Sequence, residues 1–270
     1  MRTLGASALA ALLLLSACSG PPPAPEPLPE PAPADTVAAL PAPAPVPADT
    51  VAAEPEPEPG AVLLATVVDA LGGRAAWDSL AAYATEGTST VQTTYGPTTI
   101  ETASLVAGMR QIRAEQQTPV GDVLVRVDGE VASLLVDGAP RDPGPNFAAS
   151  VRSQLLFSVP FVLMNADALT VTRGDDTTDG LAVLIYRAPG VDAAYEMVVG
   201  EDGRPVRIES EQPGPMGTAR TVHTISGWRE VAGLAVPTGA TQTSGGREVG
   251  SSEITGFTPN PEIPADAFGE

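Results

Sequence analysis

Val123-Leu124-Val125-Arg126-Val127-Asp128-Gly129-Glu130-Val131-Ala132-Ser133-Leu134-Leu135-Val136 is the stretch that decides the architecture. Val123, Val125 and Val127 alternate with Leu124, Arg126 and Asp128, a period of two that belongs to a strand. Asp128-Gly129 is a tight-hairpin pair, because both residues tolerate the positive φ that such turns require. Val131 to Val136 then returns beside the first strand.

The same pattern extends in both directions. Upstream, Tyr83 to Glu115 is rich in Thr, Val and Ser and is broken at Gly96-Pro97 and Gly108, which predicts three antiparallel strands. Downstream, strands are expected over Leu169 to Arg173, Leu181 to Ile185, Ala194 to Gly200 and Pro205 to Glu211. In the last of these Val206 and Ile208 alternate with Arg207, Glu209 and Glu211, so one face is wet. Thr221 to Val231, Leu234 to Thr243 and Arg247 to Phe257 complete the meander, with turns at Ala232-Gly233 and Gly245-Gly246. Pro140 to Pro145 reads as a loop. Ile263 and Phe268 are expected to pin an irregular C-terminus to the domain.

Two regions depart from period two. Leu64, Val67, Val68 and Leu71 share one helical face, and Gly72-Gly73 ends that helix. A short helix over Ala75 to Ala82 follows, burying Trp77 and Leu80. Phe147, Val151 and Leu155 lie along a second helical line, with Leu156 and Val159 beside it, and Pro160 stops or kinks it. The fold class is therefore mainly β with helices (α+β): a curved antiparallel half-barrel of about ten or eleven strands. An antiparallel sheet with one apolar face needs that face covered, and the helices are the available cover.

This order of elements resembles the LolA/LolB-like lipoprotein-carrier superfamily over residues 61–270. The resemblance rests on the opening helix ending Asp69-Ala70-Leu71-Gly72-Gly73, the strands after it, the helix at Phe147 to Met164, and strand pairs such as Val198 to Ile208. The closing Ile263-Pro264-Ala265-Asp266-Ala267-Phe268 also resembles such domains. It implies an incomplete barrel with a helical lid over an apolar cavity. No ligand-contacting residue of that superfamily is carried over to a position in this chain.

The N-terminal 60 residues have a different character. Arg2 is followed by the apolar run Leu4 to Leu15, too short to span ~30 Å of hydrocarbon as a helix. It reads as a secretory signal covering residues 1–17. Leu15-Ser16-Ala17-Cys18 resembles the lipobox of bacterial lipoproteins, which implies cleavage before Cys18 and acylation of its sulfur. Cys18 is the single cysteine in the chain, so it has no intramolecular disulfide partner. Ser19 resembles the sorting residue of Gram-negative outer-membrane lipoproteins, which implies anchoring in that membrane, facing the periplasm.

Residues 18–60 continue as a Pro/Ala/Glu-rich tether in which Ala34-Asp35-Thr36-Val37-Ala38-Ala39 recurs at 48–53. Proline removes donors and fixes φ, which favours polyproline II, with a reach on the order of 100 Å.

Composition limits the chemistry. Acidic residues number 33 against 14 basic ones, a formal charge of −19, and nucleic acid is excluded as a partner on electrostatic grounds. There is one histidine, His223, in a strand, where a structural role is expected. No nucleophile elbow, phosphate loop or zinc spacing is present. Asp175, Asp176 and Asp179 fit a hairpin turn better than a calcium loop. No catalytic residue, metal or cofactor is expected.

Candidate ligand-lining residues are Trp77, Leu155, Leu156, Phe157, Phe161, Met164 and Trp228, because pockets for acyl chains are mainly apolar. The same side chains would also serve as plain core. The expected function is a membrane-anchored envelope lipoprotein binding an acyl chain or other apolar ligand. The alternative is a protein-interaction or envelope-sensing module, with another envelope protein as its partner and no ligand cavity.

Overall fold

The computed structural model describes residues 57–119, 121–214 and 217–269. The signal, Cys18 and almost all of the tether lie outside the described residues. The first helix, α1 (Pro59–Ala70), is followed by α2 (Arg74–Asp78). Three long strands come next: β1 (Ala82–Thr93), β2 (Gly96–Ala107) and β3 (Gln111–Thr118). The opening valine stretch forms β4 (Gly121–Asp128) and β5 (Val131–Val136), paired Asp128 to Val131 and Val123 to Val136. A short β6 (Ala139–Arg141) completes this arm.

Helices α3 (Phe147–Leu155) and α4 (Val159–Met164) and a 3-10 turn at Ala166–Ala168 interrupt the strands. The second set follows: β7 (Thr170–Arg173), β8 (Ala182–Arg187), β9 (Tyr195–Val199) and β10 (Pro205–Gly214). It ends with β11 (Gly217–Val231), β12 (Leu234–Ser244) and β13 (Arg247–Pro259).

Thirteen strands form one antiparallel sheet, more than the ten or eleven expected. One addition is β6, in the Pro-rich segment read as a loop: Leu134 pairs with Arg141 across a turn at Asp137-Gly138. Register shifts at Glu86/Gly87, Ile225/Gly227, Gly227/Trp228 and Gln242/Thr243 bend the strands, as bulges do. The result is an open, curved half-barrel.

The strand order is β6-β5-β4-β3-β2-β1-β13-β12-β11-β10-β9-β8-β7. Every neighbouring pair except β1–β13 is consecutive in sequence. That one long-range pairing, from Tyr83↔Pro259 to Val91↔Gly250, places the first and last strands at the centre. It also sends β6 and β7 to opposite edges. The chain between them must therefore cross from one edge to the other, and it does so as α3 and α4.

The helical segment is two helices rather than one bent helix. Leu156 caps α3, Ser158 caps α4, and Pro160 sits in the first turn of α4. Proline is tolerated there because that N–H would lack an intrahelical acceptor in any case. In a continuous helix residue 160 would donate to the Leu156 carbonyl. That carbonyl instead accepts a hydrogen bond from the Tyr186 hydroxyl of β8.

The core comes in two clusters. The larger joins Leu64 and Val67 of α1, its C-cap Leu71, and Trp77, to Phe161 and Val162 of α4 and to Leu184, Met197 and Ile208 of the second strand set. The smaller joins Phe147, Ala148 and Val151 of α3 to Ile112, Val123, Val125 and Val127. Leu155 packs against both.

Helix α1 is fixed at its two ends by close backbone approach. A Cβ on Gly60 would lie 2.6 Å from the Thr172 Cα. A Cβ on Gly72 would lie 2.1 Å from the Gly233 carbonyl oxygen, at a φ of +120°. The Leu71 carbonyl accepts from the Ala235 N–H at 3.0 Å and from the Trp77 indole N–H at 3.1 Å, which docks the α1 end on β12. At the C-terminus Phe268 is buried as expected, whereas Ile263 is 41% exposed and is not pinned.

Candidate functional site

The concave face beneath α3 is assembled from both arms of the sheet. Adjacent residues of α3 bond in opposite directions. Arg152 donates to the Gly129 carbonyl and to Glu130, 3.0 Å away, in the β4–β5 turn. Ser153 shares a hydrogen bond of 2.6 Å with the Tyr195 hydroxyl of β9, which also donates to the Ser153 carbonyl at 2.8 Å. α3 thus straps the mouth of the half-barrel.

Below the strap, register fixes which residues share the inner face. Met197 pairs with Ile208, Ile208 with His223, and His223 with Gln242. Two residues along, Tyr195 pairs with Ser210, Ser210 with Thr221, and Thr221 with Ser244. Polarity therefore rises along the strands from Ile208 through Ser210 to Gln212. Gln212 donates from Nε2 to Ser210 Oγ at 3.0 Å and to the Tyr195 hydroxyl at 3.2 Å. Ser210 Oγ donates to the Ala194 carbonyl at 2.7 Å.

Phe157, in the α3–α4 link, lies flat on His223, with ring centroids 4.1 Å apart and planes 12° apart. It meets Tyr195 edge-on at 5.1 Å. Burial lowers the pKa of His223 from its ordinary 6.5 to about 4, so the ring is neutral at pH 7. His223 Nε2 is buried and has no hydrogen-bond partner among the described residues. Burial likewise raises the Tyr195 pKa, against the hydrogen bonds from Ser153 and Gln212, so this hydroxyl keeps its proton.

The sequence-predicted lining residues fall into two groups. Trp77, Leu156 and Phe161 are 1%, 1% and 0% exposed and are packed into the larger cluster, with Phe157 also buried. Leu155, Met164 and Trp228 are half-buried and pack at its margin. Leu155, the last residue of the strap, packs against the cluster that contains Phe157. Trp228 lies elsewhere, lining a surface hollow of about 400 Å³ with Asp69, Arg204 and Arg229. Cys18 lies outside the described residues. The Asp175 to Asp179 stretch forms a turn, in which Leu181 donates to Thr177 Oγ1 at 2.9 Å and Arg173 pairs with Asp176 at 2.6 Å.

Tyr195, Ser153 and Gln212 join the site only in the folded protein, as does the Phe157 partner of His223. Alternation along β11 places His223 and Ile225 on one face, a signal available in the sequence. Its contact with Phe157 joins residues far apart in the chain, and no local pattern reveals it.

An open antiparallel half-barrel with a helical strap over its inner face defines the class of this protein. The fold is LolA-like. It is shared with a LolA superfamily protein from Nitrosomonas europaea, at 11% identity and a TM-score of 0.53, covering 78% of this chain and 97% of that one. A DUF1329 family protein from Desulfovibrio piger aligns at 11% identity and a TM-score of 0.51, covering 77% of this chain and 96% of that one. No family model matches the sequence, and no curated protein does.

Proposed function

We propose that this protein is a lipid-anchored envelope lipoprotein that holds an acyl chain or comparable apolar ligand against the inner face of its half-barrel, under the α3 strap. The observation that carries this reading is the division of labour between Arg152 and Ser153. Adjacent residues of one short helix hold opposite arms of an unclosed sheet. A cover whose packing is divided between two clusters that meet at Leu155 costs less to part than one packed on a single continuous core. Leu155 at that joint, with Phe157, Ile208 and Met197 of the larger cluster, are the side chains an acyl chain would touch.

The anchor in this reading is Cys18, acylated after removal of residues 1–17, with residues 19–60 as the spacer from an outer membrane facing the periplasm. Two or more acyl chains hold a protein stably at a bilayer, at about 0.8 kcal/mol per buried methylene. Cys18→Ser is expected to move the protein out of the membrane fraction or leave it uncleaved. A mature, membrane-bound Cys18→Ser protein would refute the anchor.

The ligand is tested by native mass spectrometry of the protein purified from membranes, and by displacement of the hydrocarbon probe diphenylhexatriene. Bound lipid in the first assay and saturable probe binding in the second are expected. Arg152→Ala, which frees one end of the strap, is expected to speed probe release severalfold. Absence of bound lipid together with no probe binding would sink the ligand reading.

A further inference from the structure

We infer that His223 recognises a neutral carbonyl at the head of an acyl ligand, so that the site takes an ester or amide of a fatty acid in preference to the free fatty-acid anion. This inference rests on the acyl-binding reading above. It starts from an imbalance in the polar patch under α3. Tyr195, Ser153, Gln212 and Ser210 satisfy one another or the backbone. His223 Nε2 alone is left buried and unpartnered in that patch. A buried polar atom without a partner destabilises the fold, a cost that a ligand atom supplying the missing bond removes.

The position of that nitrogen defines what the ligand must be. His223 stands where the inner face turns from apolar to polar: Ile208 and Met197 lie along its register on one side, and Thr221, Ser210 and Gln212 follow along the strands. Phe157 covers one face of its ring. A ligand whose chain lies on Leu155, Ile208 and Ile225 brings its first polar group to Nε2. In the tautomer that carries its proton on Nε2, the imidazole donates to a carbonyl oxygen.

Charge then selects between carbonyl and carboxylate. Arg207 and Arg220 occur on the same strands but alternate onto the outer face, where both bind Glu209. Among the described residues, those in register with His223 (Met197, Ile208 and Gln242) and two positions along (Tyr195, Ser210, Thr221 and Ser244) include no arginine, so a carboxylate placed there would be desolvated without a countercharge, whereas an ester or amide carbonyl would not.

The test uses the full chain with diphenylhexatriene bound, displaced at pH 7.5 by 1-monooleoylglycerol or by oleate. Wild type is expected to prefer the monoacylglycerol by roughly tenfold, the weight of one hydrogen bond plus avoided desolvation. His223→Phe, which keeps a ring to stack on Phe157, is expected to abolish that preference, read as the ratio of the two displacement midpoints within the same variant. His223→Gln keeps a donor at the site and should retain part of it. Equal displacement by oleate and monooleoylglycerol in wild type would overturn this inference and leave acyl binding intact. An unchanged preference in His223→Phe would also overturn it. Failure of the wild-type protein to bind the probe or either lipid would overturn the acyl-binding reading as well.

Discussion

Phe157 and His223 lie face to face, 4.1 Å between centroids, although one sits in the link between two helices and the other in mid-strand on β11. The stack buries the imidazole and holds its folded-state pKa at about 4, below the ordinary 6.5. Protons bind the unfolded chain first. The stability that depends on a neutral ring is complete above about pH 6.5 and is lost as the pH falls toward 4. The full shift corresponds to at most about 3 kcal/mol, less for a ring that is only half-buried. Denaturant melts between pH 7 and 4 should show this slope in wild type and lose most of it in His223→Gln. A histidine proton resonance titrating near 6.5 would contradict the burial.

Tyr186 should be energetically inseparable from the helix break. Its hydroxyl is buried and donates to the Leu156 carbonyl, the acceptor that Pro160 cannot serve. Tyr186→Phe leaves that carbonyl unpaired and is expected to cost about 1–3 kcal/mol. Urea midpoints measure it. Amide exchange at Val162 and Leu163 should accelerate in the same variant, because α4 loses its tie to β8.

Gly60 and Gly72 set the seat of α1. Gly60→Ala drives a methyl into the Thr172 backbone, and Gly72→Ala adds left-handed strain to a clash with the Gly233 carbonyl. Each is expected to destabilise by roughly 1–3 kcal/mol, with Gly72→Ala the more severe. Gly73→Ala is the internal control: no atom lies within 4 Å of its added Cβ, so only the strain of its positive φ remains. Thermal melts of the three variants should rank Gly73→Ala as the mildest.

Glu209 is the acidic counterpart of this pattern, buried on the outer face between two arginines. Burial by itself would raise its pKa, but hydrogen bonds from Arg207 and Arg220 outweigh it and hold the carboxyl below its ordinary 4.5. The stability it contributes is present above pH 4.5 and is lost as the pH falls through the depressed value. Glu209→Gln should cost about 1–2 kcal/mol at pH 7, since both arginines are part-exposed and keep some hydration. The cost should shrink below pH 4, and acid titrations of both proteins, followed by circular dichroism, read the difference.

The outer-face position of Glu209 was legible in the alternation of Arg207, Glu209 and Glu211 with Ile208. Its burial was not, because Arg220 reaches it from β11. The same division runs through the whole domain. The amino-acid sequence by itself determined the hairpins, since Gly129, Ala232-Gly233 and Gly245-Gly246 act on their immediate neighbours and side-chain alternation needs no distant partner; the first turn falls at Gly129-Glu130, one residue past the Asp128-Gly129 pair, because Asp128 still pairs with Val131. It also determined that the helix is interrupted near Pro160, whose ring and missing N–H act within one helical turn, while the choice between a kink and two separate helices came from the structure.

Tertiary structure alone decided the pairing of β1 with β13, which joins ends of the domain that share no local signal. That pairing put β6 and β7 on opposite edges and forced α3 across the mouth. It thereby brought Ser153 to Tyr195 and Phe157 to His223. Contacts of this kind form only when a sheet closes the distance between segments far apart in the chain, and the residues on either side carry no record of it.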